Sequence, residues 1–225
     1  MGQSTSAPVP LLTDDFMGTQ TGIASPMNYM FGCNGMGSPS VLHDGNGKLE
    51  LRSQFNDPVS DYCVATSAVT DYSFNNPEIL DAGGFQVSVD IAWSDDPTSG
   101  FAIGLGEEIN NDPMNFDPTP SVDAMVDVVN DEAIVRLFDN GTIISVNSFT
   151  IGIPISELEN VTLDVETDDF GPDGQASLTV IVNGTAIPPL GFTWDGGSNY
   201  IEIRGGTTGT EPAMVAIDNL VIRPR

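Results

Sequence analysis

Apolar and polar residues alternate with period two in short runs along most of the chain, and turn-forming residues separate the runs. Such alternation predicts half-buried β-strands, because successive side chains of a strand point to opposite faces. About eleven stretches fit the pattern: 47–54, 62–70, 83–93, 99–108, 123–130, 132–139, 142–150, 160–168, 176–183, 199–206 and 213–224. Helical spacing occurs only in PISELENV, at 154–161, which predicts a single turn.

So many short strands predict an all-β fold, an antiparallel sandwich of two sheets, since one open sheet of this size would leave long edges. Asn-Gly pairs at Asn140 and Asn183 lie between alternating runs and predict tight hairpins. N-glycosylation sequons begin at Asn140, Asn160 and Asn183, and turn chemistry explains the first and third better. We expect a flexible tail over residues 1–10 and one domain over 11–225.

The chain carries a formal net charge of -26 and a single lysine, Lys48. This charge argues against nucleic acid as a partner, which requires a basic surface, and against an anionic membrane. No apolar run is long enough to insert into a membrane. The opening MGQSTSAPVPLL lacks a basic leader, so we expect that a signal was removed or that the protein leaves its cell another way. A saline habitat, bound calcium or an acidic surface without specific meaning would each account for the charge.

Two cysteines lie thirty residues apart, Cys33 in a glycine-rich stretch that predicts a loop and Cys63 in a predicted strand. An even count in a chain that looks extracellular favours a disulfide between them. The alternative is a pair of buried free thiols.

Several stretches occur in an order typical of one superfamily: LTDDFMGT at 12–19, DGNGKLELRSQ at 44–54, GGFQVSVDIAW at 83–93, LTVIVNGTAI at 178–187 and AMVAIDNLVIRP at 213–224. The sequence resembles the concanavalin A-like lectin/glucanase jelly rolls, which include laminin G-like modules and glycoside hydrolase family 16. The resemblance implies a concanavalin A-like jelly roll over roughly residues 11–225.

The bacterial β-glucanases of that hydrolase family are the nearest parallel, and they imply two stabilising features. Their two cysteines form a disulfide, which here corresponds to Cys33 and Cys63. Their structural calcium corresponds here to the carbonyl of Asp15, the carbonyl of Gly47 and the side chain of Asp218. Oxygen ligands of this kind suit calcium. The alternative for Asp218 is a polar residue that hydrogen-bonds backbone in the last strand.

The catalytic strand of those hydrolases carries Glu, Asp and Glu at alternate positions, and the stretch most similar to it is SVDAMVDVV at 121–129. Asp123 and Asp127 replace the two glutamates, and Met125 replaces the central aspartate. A thioether neither accepts a proton nor holds a neighbouring charge, so the triplet is broken and we expect no enzyme activity. Periodicity leaves a second interpretation open, in which Met125 is a core residue and Val126 and Val128 face solvent.

Carbohydrate binding on a jelly roll uses aromatic side chains against sugar rings and polar residues at loop tips. The candidates are Trp93, Asp95, Asp96, Trp194 and Tyr200. The alternative is that both tryptophans pack in the core and that the aspartates are solvated turns.

We therefore expect a non-catalytic, lectin-like carbohydrate-binding or adhesion module that acts outside the cell and binds a glycan or a surface protein. A structural or decoration protein of a virion or cell surface, assembled into a larger particle, is the alternative. A diverged glycoside hydrolase acting through Asp123 and Asp127 is the second alternative. The fold alone does not choose among these classes.

Overall fold

The computed structural model describes residues 9–16, 20–22, 27–34, 40–43, 47–53, 62–69, 74, 77–94, 99–106, 124–129, 131–139, 142–167, 174–194, 200–207 and 213–225. Most of the predicted tail, residues 1–8, lies outside these ranges.

Within these ranges the chain is almost entirely β-structure. The strands are β1 Leu12–Asp14, β2 Gln20–Gly22, β3 Met27–Asn34, β4 Ser40–His43, β5 Leu49–Ser53, β6 Tyr62–Val69, β7 Gly84–Ser94, β8 Ser99–Gly106, β9 Ala124–Val129, β10 Glu132–Asp139, β11 Thr142–Thr150, β12 Asn160–Thr167, β13 Gly174–Val182, β14 Thr185–Ala186, β15 Leu190–Trp194, β16 Tyr200–Thr207 and β17 Ala213–Pro224. One short helix, α1 Pro77–Ala82, and one 3-10 turn, Ile155–Glu157, complete the described elements. No described helix is long and apolar enough to cross a membrane.

The strands form two antiparallel sheets. The ten-stranded sheet has the order β14-β13-β12-β7-β17-β1-β2, with β15 paired to β13, β5 to β17 and β4 to β5. The seven-stranded sheet has the order β11-β10-β9-β8-β16-β6-β3. This arrangement confirms the prediction of an antiparallel two-sheet sandwich.

The apolar residues of both sheets form one core between them. Val87 of the ten-stranded sheet and Ile103 of the seven-stranded sheet are both fully buried there. The sheets approach so closely at Gly205 that a Cβ atom on it would lie 2.8 Å from Cβ of Leu51. Since real Cβ atoms do not come so close, glycine fits this position and a larger residue would push the sheets apart.

An aromatic cluster fills one part of the core. Phe74 stacks on Phe85 with ring centroids 4.2 Å apart, and Trp194 meets both rings edge-on. Trp194 is only 1% exposed. This corrects the prediction that Trp194 offers its ring to a sugar, because the alternation of β15 directs the indole into the core.

Each of the eleven predicted strands overlaps a strand of the sandwich, and the predicted helical turn coincides with Ile155–Glu157. The sequence pattern missed β1, β2, β3, β4, β14, β15 and helix α1. Cys33 was expected in a loop but lies in β3, where the neighbouring strand β6 supplies the backbone partners that the glycine-rich sequence does not suggest.

Candidate functional site

The outer face of the seven-stranded sheet, meaning the face turned away from the core, holds the candidate site. In β9, Ala124, Val126 and Val128 belong to the core. Met125 and Asp127 alternate with them and therefore lie on the outer face. Met125 is 2% exposed and forms a small buried cluster with Phe138 of β10. The interpretation with Val126 and Val128 facing solvent is therefore wrong.

Strand β8 gives this face a floor without large side chains. Its residues Phe101, Ile103 and Leu105 enter the core. The alternate positions are Gly100, Ala102, Gly104 and Gly106, so the outer face carries nothing larger than a methyl group along this strand. A Cβ atom on Gly100 would lie 3.5 Å from Cγ1 of Val129, which places both residues on the same face. The floor lies between β9 on one side and β16 on the other.

An ion pair borders the floor on the β9 side. Arg136 Nη1 of β10 donates a hydrogen bond to Asp127 Oδ2 of β9. The two residues are diagonal neighbours, because Asp127 lies opposite Ile134 and Arg136 lies opposite Met125. Their side chains are 22% and 32% exposed, so each holds the other in place and still reaches solvent.

Two further charged positions border the floor on the β16 side. Glu202 lies opposite Gly104 and Arg204 opposite Ala102 in the backbone register. Their side chains lie outside the part of the structure that is described. Sequence reasoning missed Arg136, Glu202 and Arg204. The signal was present in SGFAIGLG, whose small residues recur at every second position and predict a strand face without large side chains.

The predicted catalytic pair is only partly visible. Asp123 lies outside the described residues, while Met125 occupies the middle position and Asp127 is paired with Arg136. The carboxylate of Asp127 accepts a hydrogen bond from Arg136, and Asp127 is the one acidic residue within β9.

The residues predicted to bind sugar do not form one group. Trp93 lies in β7 of the ten-stranded sheet, opposite Ala216, and only its backbone is described. Tyr200 begins β16 of the seven-stranded sheet, opposite Gly106, and its side chain is likewise not described. Asp95 and Asp96 lie outside the described ranges. Trp194 is therefore not part of the candidate site. The ion pair of Asp127 and Arg136 is the part of the site that the structure describes.

The residues predicted to bind calcium converge along one edge of β17. This edge pairs with β5 from Ala213 to Ile217 and with β1 from Leu220 to Ile222. Asp218 lies in the gap between these pairings, where β1 ends just before Asp15 and β5 begins just after Gly47. Asp218 is exposed, and a register shift at Ile217 and Asn219 sets it apart from the pairing with β7.

A carboxylate and backbone carbonyls are oxygen ligands of the kind that calcium takes, so the chemistry of the residues at this gap is compatible with the ion. Among the described residues there is no group of three or more His, Cys, Asp or Glu side chains placed to hold a metal. A site built mostly from backbone carbonyls is not of that type.

The two cysteines lie directly opposite each other. Cys33 of β3 pairs with Cys63 of β6 in the antiparallel register. Opposed residues of antiparallel strands have Cα atoms about 4.5–5.5 Å apart, within the range of about 4.4–6.8 Å that a disulfide needs. The backbone is thus compatible with the predicted bridge.

Two of the three sequon asparagines have structural partners. Asn183 has a positive φ of 46°, and its side chain accepts hydrogen bonds from the backbone N–H groups of Glu159 and Asn160. Its Nδ2 donates to the carbonyl of Glu157 at 2.8 Å. Nδ2 of Asn160 donates to Asp90 Oδ1 at 2.7 Å. The turn interpretation of Asn183 is confirmed, while Asn140 lies outside the described residues.

Solved structures share this architecture at low sequence identity. The legume lectin-like domain from Entamoeba histolytica superimposes with a TM-score of 0.54 and 11% identity, covering 88% of this chain and 90% of that one. A prokaryotic β-1,3-1,4-glucanase from a mouse hindgut metagenome gives a TM-score of 0.57 and 11% identity, covering 95% of this chain and 98% of that one.

The binding domain of botulinum neurotoxin DC, solved in complex with rat synaptotagmin II, gives a TM-score of 0.50 and 12% identity, covering 88% of this chain and 43% of that one. The sequence matches no protein-family model and no curated protein. The structural likenesses show that the chain adopts the concanavalin A-like jelly roll, a fold that lectin-like domains and glucanases share.

Proposed function

We propose that this concanavalin A-like jelly roll is a non-catalytic carbohydrate-binding module that acts outside the cell. The observation that carries the proposal is the ion pair between Asp127 and Arg136 at the border of the floor of β8. It presents an acceptor and a donor side by side, and both side chains reach solvent in part.

The chemistry of this border suits sugar hydroxyls. A carboxylate is an acceptor and a guanidinium is a donor, whereas each hydroxyl is both, so neighbouring hydroxyls of one ring match the two charged groups. Hydrogen bonds to charged groups are the stronger ones. Asp127 lies opposite Ala102 of β8, so its carboxylate borders positions that carry no side chain larger than a methyl group.

The absence of catalysis is part of the proposal. Retaining hydrolysis needs two carboxyl groups about 5–5.5 Å apart, one as nucleophile and one as proton donor. Asp127 is held by Arg136, and Met125 lies where a third acidic group would tune such a pair. Both observations favour binding over hydrolysis, and the rival reading is a hydrolase that uses Asp123 and Asp127.

A structural calcium and a disulfide complete the proposal. The carbonyls of Asp15 and Gly47 and the side chain of Asp218 would hold the ion. There it would join the first strands to the last strand. Opposed Cys33 and Cys63 support an oxidising, extracellular setting, because disulfides persist there and are rare in the cytosol.

A structural or decoration role on a virion or cell surface is the second candidate. The observation that favours it is the exposed, uncharged strand β11, with Ile143, Ile144 and Val146 at 44%, 54% and 57% exposure. A particle component would use such a strand for assembly and would copurify with the particle.

Reducing-end release separates binding from hydrolysis. The purified protein is incubated with β-glucans and with a broad panel of other polysaccharides, and both retention and new reducing ends are measured. We expect saturable retention on one glycan class with no new reducing ends. Release of reducing ends that is lost in Asp127→Asn would overturn the non-catalytic assignment and establish the hydrolase.

A further inference from the structure

Strand β11 ends the seven-stranded sheet on one side within the described residues. Its sequence, TIISVNSFT, contains no charged residue and no proline. Natural edge strands commonly carry lysine, proline or other charges, because an unprotected edge pairs with another chain. A bulge opposite Leu137 and Phe138 interrupts the pairing near the first residues of β11, and the register from Ser145 to Thr150 is regular.

Strand β11 exposes apolar side chains in its first half. Five large apolar side chains of the described residues are strongly exposed, and three of them, Ile143, Ile144 and Val146, belong to this strand. On a monomer, isolated exposed apolar residues need no explanation, whereas a cluster on an uncharged edge marks a contact surface.

We propose that β11 pairs with β11 of a second copy of this chain and joins two seven-stranded sheets into one. The strand is compatible with this occupant, because two copies of an uncharged β11 bring no like charges together at the contact. The chain carries a net charge of -26, so a basic partner would be drawn to the acidic surface and not to a strand without carboxylates. A second copy is repelled at the acidic surface and meets no charge along β11.

Antiparallel pairing of a strand with itself is a closed, two-fold arrangement, so it stops at a dimer. Opposed residues of paired strands share one face. A register that places Val146 opposite the same residue of the second copy therefore brings the two exposed valines together at the axis. In this register Ser145 lies opposite Asn147 of the second copy, within the part of β11 whose pairing is regular.

The two-fold axis runs perpendicular to the sheet, so both outer faces look in the same direction. The two β9 strands are five strand spacings apart, which is about 24 Å at about 4.8 Å for each spacing. If the proposed carbohydrate function holds, the dimer presents two sites side by side to one surface, and binding to a dense glycan layer gains avidity.

Sedimentation velocity tests the dimer. We expect a concentration-dependent dimer that strengthens with salt, because salt screens the repulsion between two acidic chains. Val146→Lys should weaken it at least about tenfold, since two lysines would meet at the axis. Leu80→Lys is the matched control, because Leu80 is an exposed apolar residue on α1, 38% exposed and outside the seven-stranded sheet, and it should leave the dimer intact.

Three results would overturn the proposal: a monomer at every concentration in high salt, a dimer that survives both Val146→Lys and Ile144→Lys, or a dimer that Leu80→Lys disrupts equally. None of these three results depends on sugar binding, so the dimer proposal can be wrong while the carbohydrate proposal is right, and the reverse. Circular dichroism of each variant checks that the exposed substitutions leave the fold intact.

Discussion

Arg136 Nη1 and Asp127 Oδ2 are joined across two neighbouring strands, so that the one described carboxylate on the outer face of β9 is held by a guanidinium. Residues nine apart in sequence meet because the hairpin between β9 and β10 places them on a diagonal. A carboxylate held in this way is pre-oriented as a hydrogen-bond acceptor. The pair therefore suits recognition of hydroxyl groups, and it is the basis of the functional proposal.

Trp194 is a core residue, so its removal should destabilise the fold. We expect Trp194→Ala to lower the free energy of unfolding by about 3–5 kcal/mol, the usual range for a buried aromatic residue replaced by alanine. Urea denaturation followed by circular dichroism measures the change. Leu80→Ala, at an exposed position, serves as the control and should change stability by less than about 0.5 kcal/mol. Equal stability of the Trp194 variant and the parent would contradict the core assignment.

Asn183 holds the turn between β13 and β14 together with the end of the 3-10 segment. We expect Asn183→Ala to lower the free energy of unfolding by about 1–3 kcal/mol. The substitution leaves backbone hydrogen-bonding groups without their partner and forces alanine into a left-handed conformation. Asn183→Gly should cost less, because glycine accepts the positive φ of 46° and loses only the hydrogen bonds. Thermal or urea unfolding of both variants measures the difference. Two variants of equal stability would show that backbone conformation is not a factor.

Calcium should stabilise the protein through the gap beside β17. At free calcium of about one hundred times the dissociation constant, binding contributes about 2.7 kcal/mol, which for a chain of this size raises the melting temperature by about 5–10 °C. EDTA should remove this gain, and Asp218→Ala should melt at the same temperature with or without calcium. A parent protein whose melting temperature is unchanged by EDTA would remove the calcium proposal.

The opposed cysteines should form a disulfide. Intact mass under denaturing, non-reducing conditions should be two daltons below the reduced value, the mass of the two hydrogens lost. Reduction should lower the free energy of unfolding by about 2–4 kcal/mol, because the bridge restricts the unfolded chain. Cys63→Ser should match the reduced protein and be insensitive to reductant. Two alkylatable thiols in the freshly purified, unfolded protein would support the free-thiol alternative.

The long strands could be predicted from the sequence because each carries its own alternation, as β12 and β13 do with valine, leucine and isoleucine at every second position. Strand β3 could not, since MNYMFGCN has no such alternation and is extended because β6 supplies its partners. The calcium expectation depended on a resemblance, and the register of β17 brings its residues to one gap. Trp194 could not be assigned from its neighbours, because WDGGSN is equally typical of an exposed loop.

On the outer face, too, some features could be predicted from the sequence and others depend on contacts between strands. Alternation alone could place Asp127 and Met125 on the same side of β9. The nearly continuous apolar run did not show whether that side faces the core or the outside. The structure shows that it faces outward, because Val126 and Val128 fill the core. The partner of Asp127 is Arg136 of the next strand, and only the register of the hairpin reveals that contact.

Glycan binding by two matched variants tests the functional account most directly. Asp127→Asn breaks the ion pair with Arg136 on the outer face, and Asp164→Asn breaks an ion pair with Arg225, 2.8 Å long, on the ten-stranded sheet. Urea unfolding of each variant checks that the fold is kept, and Arg225 retains a second partner in Glu166 when Asp164 is changed. Binding is measured across a broad panel of polysaccharides, in calcium and in EDTA. We expect saturable binding to one glycan class by the parent and by Asp164→Asn, with at least about tenfold weaker binding by Asp127→Asn. A folded parent that binds no glycan, or an Asp127→Asn variant that binds as tightly as the parent, would contradict it.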